Sequence, residues 1–386
     1  MKAIMKHPFS RICADFFRGL TPIFFRGHPR PNPRKSARTR FPGWIWLLPG
    51  LLSSCLDRVA VPIRDETPRL VVEGMITTER PPYTVKLSYS GKFEFSGPPA
   101  AQPILGAEVL ILEEGGRQTR LSASGREPGQ YVTVDTTFVG RAGRRYTLRI
   151  QLPDGSRYES RPEQMPSPVP IDSVYSEVEL NSNSLRPPVF RFLISTKDPA
   201  SEANFYRWTA TAYGIRRAGG VVCPPFGTAF CYQNCWYAEY SSVFNLLSDR
   251  IVNGNTIRGV PVISNPVRWI GPQLVEVKQY SLTREAFQFW RRFEEQQSRT
   301  GSLFDPLPAP IVGNIVRIDK PEETALGYFS ASALAIRRQR FEWPTTLPPA
   351  VVSYILTLPI PPGDCRLAYP SPGTYLLEDF PPGFSY

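Results

Sequence analysis

The sequence predicts a mainly β protein interrupted by one helix late in the chain. Three observations predict it. Proline is abundant, 42 of 386 residues, and recurs in pairs such as Pro81-Pro82, Pro187-Pro188 and Pro348-Pro349 that oppose helix and favour extended or turn backbone. Between the pairs lie short runs rich in Val, Ile, Tyr and Thr, punctuated by 28 glycines, as strands separated by turns would be. Aromatic residues make up 12% of the chain, enough to build cores that a disordered chain lacks.

The first segment reads as a leader. Residues 1–54 carry 10 of the 45 Lys and Arg and a single acid, Asp15. Lys35 to Arg40 is basic, Phe41 to Leu52 is an apolar stretch of twelve, and Leu52-Ser53-Ser54-Cys55 follows. A basic region, a short apolar region and small residues before a cysteine make a bacterial lipoprotein signal. Small side chains at 53 and 54 fit the signal peptidase, and the Cys55 thiol takes a diacylglycerol. Twelve apolar residues broken by Pro49 are too few to span a bilayer as a helix, whereas multiple acyl chains on Cys55 anchor stably. Cys55 is the expected lipidation site and the lipid bilayer the first expected partner. Residues 1–33 are Arg- and Phe-rich without periodicity and read as a start codon assigned too far upstream.

Removing the leader changes the charge balance. Residues 55–386 hold 35 basic and 33 acidic residues, so the basic excess that would suggest a nucleic-acid partner is gone. Both histidines, His7 and His28, go with the leader. What remains has no imidazole for acid–base work, for a Ser-His-Asp or Cys-His nucleophile, or for metal ligation.

Residues 55–68 form a polar, proline-bearing tether. From Leu70 the text alternates: Leu70 to Ile76, Tyr83 to Tyr89, Ala107 to Leu112, Gly129 to Val134 and Arg145 to Leu152. Pro153-Asp154-Gly155 is a turn signal, followed by Arg157 to Ser160. About six short strands between Gly/Pro turns predict an immunoglobulin-like β-sandwich over 69–165. The proline-rich stretch Arg161 to Pro170 marks a domain boundary, and 170–386 reads as a larger β-rich domain. Its predicted strands are Val189 to Ile194, Phe205 to Tyr213, Leu274 to Tyr280 and Ala350 to Leu356. The exception is Arg284 to Arg299 (REAFQFWRRFEEQQSR), which lacks Gly and Pro. Ala286, Phe289, Trp290, Phe293 and Gln297 share one helical face there, and Thr283 is placed to cap its amino terminus.

Setting Cys13 and Cys55 aside, four cysteines remain: Cys223, Cys231, Cys235 and Cys365. An even number in an exported chain reads as two disulfides, with three connectivities open. The C-x7-C-x3-C spacing lacks paired knuckles, so no zinc site is expected. No phosphate-binding glycine motif occurs, no S-x-x-K replaces the missing histidine, and no loop has EF-hand spacing. The doublets Glu113-Glu114, Glu294-Glu295 and Glu322-Glu323 read as solvated faces, since adjacent side chains point apart. No catalytic residue, metal or cofactor is therefore assigned. Trp208, Trp236, Trp269, Trp290 and Trp343 are the residues able to stack on sugar faces.

The run from Ser281 through Phe304-Asp305-Pro306 to Gly313-Asn314-Ile315, then Gly327 to Ser332 (GYFSAS), resembles the domain of unknown function 4249 (DUF4249) family. Leu70 to Gly74, Tyr146-Thr147-Leu148 to Tyr158, Cys235-Trp236 and Gly363-Asp364-Cys365-Arg366 look like other parts of the same family. The resemblance implies outer-membrane lipoproteins of Bacteroidota, often encoded beside TonB-dependent receptors of the SusC type. It implies a Cys235–Cys365 disulfide, which leaves Cys223–Cys231 as a local pair. It supplies no mechanism. Asp305 and Asn314, in the family-like loop after the helix, read as capping and turning the chain; with Trp236 they are the candidate ligand or partner surface. Leu56-Asp57-Arg58 offers one acid after the lipidated cysteine, so the periplasmic and cell-surface leaflets both stay open. The expected function is a non-enzymatic accessory or substrate-capturing subunit of a TonB-dependent transporter, with a glycan or other nutrient as ligand. The alternatives are a carboxylate-based glycan hydrolase and a structural or adhesive surface lipoprotein.

Overall fold

The computed structural model describes residues 67–91, 101–180, 186–217, 234–241, 244–267, 272–298, 311–342 and 347–360, with 365, 375–376, 381 and 384. It is mainly β. The first strands are β1 (Leu70–Thr77), β2 (Thr84–Tyr89), β3 (Gln102–Pro103), β4 (Glu108–Glu113), β5 (Gln118–Ala123), β6 (Gln130–Thr133), β7 (Arg145–Gln151), β8 (Arg157–Ser160) and β9 (Glu163–Gln164). Next come β10 (Ser173–Glu179), β11 (Val189–Lys197), β12 (Phe205–Arg217), β13 (Asn234–Tyr240), β14 (Asn245–Ser248), β15 (Thr256–Pro266) and β16 (Gln273–Ser281). Helix α1 (Arg284–Gln297), β17 (Ile315–Arg317), β18 (Leu326–Phe341), helix α2 (Pro349–Leu356) and β19 (Tyr375–Leu376) complete the order.

The amino-terminal strands obey the period of two. In β7, Tyr146, Leu148 and Ile150 are buried while Arg145, Arg149 and Gln151 face water, because successive side chains on a strand point to opposite faces. Strands run side by side in the order β17-β8-β7-β4-β5-β6-β2-β1-β18. The row closes on itself: Val316 of β17 bridges Thr324, just ahead of β18, and the Ala325 N–H donates to the Ile315 carbonyl at 3.0 Å. Closure removes the open edges that would invite pairing with another chain. The ring encloses one core, with Val72, Leu87, Ile111, Leu148 and Phe329 fully buried. Residues 69–165 do not fill it alone, since Ile315, Ala325, Phe329, Ala331 and Ala333 belong to the same cluster.

Strand β18 joins the ring to the next layer. It pairs parallel to β1 over Leu326–Ser332 and antiparallel to β16 over Ala333–Phe341. From β16 the sheet continues through β12 to β13 and β19, with β14 also on β12. A second sheet, β10-β11-β15, shares a core with it: Phe192 and Ile194 meet Tyr206, Trp208, Ala210, Val275 and Val277. Burial of Trp208 requires a partner for its N–H, and Nε1 donates to Gln279 Oε1 at 2.7 Å. Gln279 Nε2 in turn donates to the Val169 carbonyl at 2.7 Å, tying the sheet to the segment after β9.

Helix α1 forms as expected, with the Thr283 hydroxyl accepting the Ala286 N–H at 3.1 Å. Its buried side is rotated from the expected stripe. Ala286, Phe287 and Phe289 are buried, Trp290 and Phe293 are half-buried, and Gln297 is exposed. The helix packs with Phe205, Leu282 and Tyr328, on the face of β12 opposite to Tyr206 and Trp208. One expectation fails: Ala350 to Leu356, read as a strand, is helix α2. Pro349 in its first turn is preset for helical φ. Val351 and Ile355, four apart, are both buried while Val352 and Leu356 are exposed, a helical rather than an alternating pattern. No helix among the described residues is long and apolar enough to cross a membrane.

Candidate functional site

Two clusters border α1. The first centres on Glu163, which β9 places beside Tyr146 of β7 and which is 5% exposed. Its Oε2 accepts the Thr283 hydroxyl at 2.8 Å. Its Oε1 accepts the Tyr328 hydroxyl and, at 3.4 Å, the Asn314 amide. Burial holds the Glu163 pKa above the usual carboxylate range, against the pull of Tyr328, Thr283 and Asn314. Burial and the neighbouring Glu163 drive the Tyr328 hydroxyl far above its ordinary value. Both carboxylate oxygens are engaged by donors from the helix cap, β18 and the 314 turn. Glu163 therefore fastens three segments together, with three donors on its carboxylate and both oxygens given to structural work.

Other buried acids do similar work. The Asp198 carboxylate accepts the Tyr206 hydroxyl and the Gly254 N–H, the latter at 2.9 Å. Asp249 Oδ2 accepts the Asn204 N–H at 2.6 Å. Glu113 is 6% exposed and pairs with Arg117 at 3.0 Å and Arg144 at 3.8 Å, so the solvated reading of that doublet does not hold for its first member. The cause is the turn after β4, which brings Arg117 back over the strand end. Among the described residues no group of three His, Cys, Asp or Glu could hold a metal ion.

The second cluster is aromatic and cationic. Arg207 lies on the β12 face that meets α1, with its guanidinium 4.0 Å from the Trp290 ring centroid and 5.9 Å from that of Phe244. Phe293 closes the group, 5.6 Å from Phe244 and 5.9 Å from Trp290. All four residues are half-buried. Desolvation lowers the Arg207 pKa, opposed only by the nearby Tyr280. Five N–H donors sit on this guanidinium, yet among the described residues no acceptor or carboxylate engages it; its contacts are with the two rings.

The residues expected from sequence are placed as follows. Cys235 and Cys365 form a disulfide with Cα atoms 5.9 Å apart. Trp236, beside it on β13, is 2% exposed and presents no surface for stacking. Asn314 is 4% exposed, with its amide committed to Glu163 and to the Phe329 backbone. Trp208 is buried in the core between the sheets, and Trp290 alone of the described tryptophans is half-buried. Cys55, Cys223, Cys231, Asp305, Trp269, Trp343 and the leader and tether up to residue 66 lie outside the described residues.

Sequence reasoning missed Glu163 and Arg207 as members of clusters. Arg207 had a signal: in Phe205-Tyr206-Arg207-Trp208 it alternates with two aromatic core residues, which puts it on the other face. Glu163 had none, because Arg161 to Pro170 reads as a linker. The model of a family described as Domain of unknown function (DUF4249) matches the chain over residues 57–338. No curated protein matches the chain.

Proposed function

Because the chain belongs to the DUF4249 family, we propose that it is a lipid-anchored outer-membrane protein serving a TonB-dependent transporter as a non-enzymatic accessory or substrate-capturing subunit. The observation that carries this reading is Leu52-Ser53-Ser54-Cys55 behind a basic and apolar leader. Acylated Cys55 holds the chain on the bilayer. The tether from 56 to 68 reaches roughly 45 Å when extended, and the closed ring with its attached layers forms the body that the tether presents. Capture is favoured over hydrolysis because Glu163, Asp198 and Asp249 serve as acceptors for structural donors, whereas a glycosidase needs two acids facing a common cleft.

The test is purification of the chain from native outer membranes in mild detergent. A TonB-dependent receptor recovered in equal amount supports the accessory role. Recovery of the chain alone contradicts a stable partnership.

A further inference from the structure

We infer that Arg207, Trp290, Phe244 and Phe293 form a binding site for a ring-bearing monocarboxylate. Three observations carry it. The Arg207 guanidinium is half-buried and stacked on aromatic rings, so part of its hydration is lost. No described acceptor engages it, and none of its nitrogens is among the buried polar atoms left without a partner, so its N–H donors stay open to an incoming acceptor. The Trp290 and Phe244 rings lie 4.0 and 5.9 Å from its Cζ, and the planar N–H fork of an arginine is the group that grips a carboxylate in bidentate fashion.

The composition of the cluster fixes the ligand class. One cation matches one negative charge, which favours a carboxylate over a dianionic phosphate. Three aromatic side chains beside it offer apolar faces to the rest of the ligand, as small-molecule sites pair apolar walls with few polar groups. An aromatic acid and a uronic acid sugar share this chemistry. The plain alternative is that Arg207 only fastens α1 to β12 by cation–π contact; in that case no ligand is bound and only stability changes on mutation.

This inference rests on the substrate-capture reading for its cellular sense, and it is tested without the transporter. Calorimetry on the purified full chain in detergent compares benzoate with benzyl alcohol and glucuronate with methyl glucoside. The expected result is that at least one acid binds, with its neutral counterpart weaker by about tenfold or more. Arg207→Gln should abolish that binding, and Arg207→Lys, which keeps the charge but not the fork, should weaken it about tenfold. If Arg207→Gln does not fold, the acid–neutral difference in the unmodified chain and the Arg207→Lys result decide. Absence of binding by both acids up to about 10 mM overturns the inference, as does equal binding of acid and neutral probe or of Arg207→Lys and the unmodified chain. Benzoate alone or glucuronate alone identifies the source of the carboxylate. A co-purifying receptor without acid binding defeats this site and leaves the transporter role standing; acid binding without a receptor does the reverse.

Discussion

Asn314 holds Phe329 by both ends of its amide: Nδ2 donates to the Phe329 carbonyl at 2.8 Å, and Oδ1 accepts the Phe329 N–H at 3.0 Å. A side chain here does the work of a neighbouring strand, beside the point where β17 and β18 close the ring. The Phe329 ring, fully buried, is thereby fixed in the core. Asn314→Ala leaves a buried N–H and a buried carbonyl without partners and should cost about 2–4 kcal/mol, read from urea unfolding. Asn314→Asp sets a second carboxylate against Glu163, so it should be more damaging at neutral pH and recover on acidification.

Glu163 should make stability depend on pH. Burial raises its folded-state pKa above 4.5, so the native state holds this proton more tightly than the unfolded one. The stabilisation is then complete below the ordinary glutamate range and is lost as pH rises through the folded-state pKa. Melting temperatures of Glu163→Gln, which keeps an acceptor for Tyr328, should fall less than those of the unmodified chain across that interval. Parallel curves for the two proteins would show that Glu163 is not the titrating group.

Gly327 stands where β1 meets β18 in parallel register. Its φ is +89°, and a Cβ there would lie 2.0 Å from the Val72 carbonyl oxygen. No side chain can adopt both the backbone and the space, so Gly327→Ala should break the pairing that connects the ring to the second layer. The expected outcome is insoluble or non-cooperatively unfolding protein. A melting temperature within a few degrees of the unmodified chain would contradict this arrangement.

The disulfide joins residues 130 apart. In the chain-entropy description, a loop of that size limits the unfolded ensemble by about 4–5 kcal/mol. Cys365→Ser should lower stability by an amount of that order under oxidising conditions, measured by denaturant unfolding. An unchanged midpoint would mean that the segment around Cys365 adds nothing to the body.

The fold was legible where one face of a strand meets a core and the other meets water. Tyr146, Leu148 and Ile150 alternate with exposed neighbours, and β7 could be read directly. The first half of strand β18, Tyr328 to Ala333, hid because both of its faces are covered. Phe329, Ala331 and Ala333 enter the ring core, Tyr328 enters the cluster under α1, and Ser330 and Ser332 are buried at 4% and 0% exposure. With no solvated face there is no alternation to read. Helix α2 was mistaken for a strand because Val351, Val352 and Ile355 are β-branched, and tertiary placement outweighed that preference. Arg207 was legible as an outlier on a strand, but its aromatic neighbours come from α1 and from Phe244, which only the fold brings together.

The lipid anchor is tested most directly by labelling cells with radioactive palmitate and separating inner from outer membranes, for the unmodified chain and for Cys55→Ser. Label is expected on the unmodified chain in the outer-membrane fraction, and for Cys55→Ser neither label nor membrane recovery. Equal membrane recovery of both proteins, or an unmodified chain without label, would contradict it.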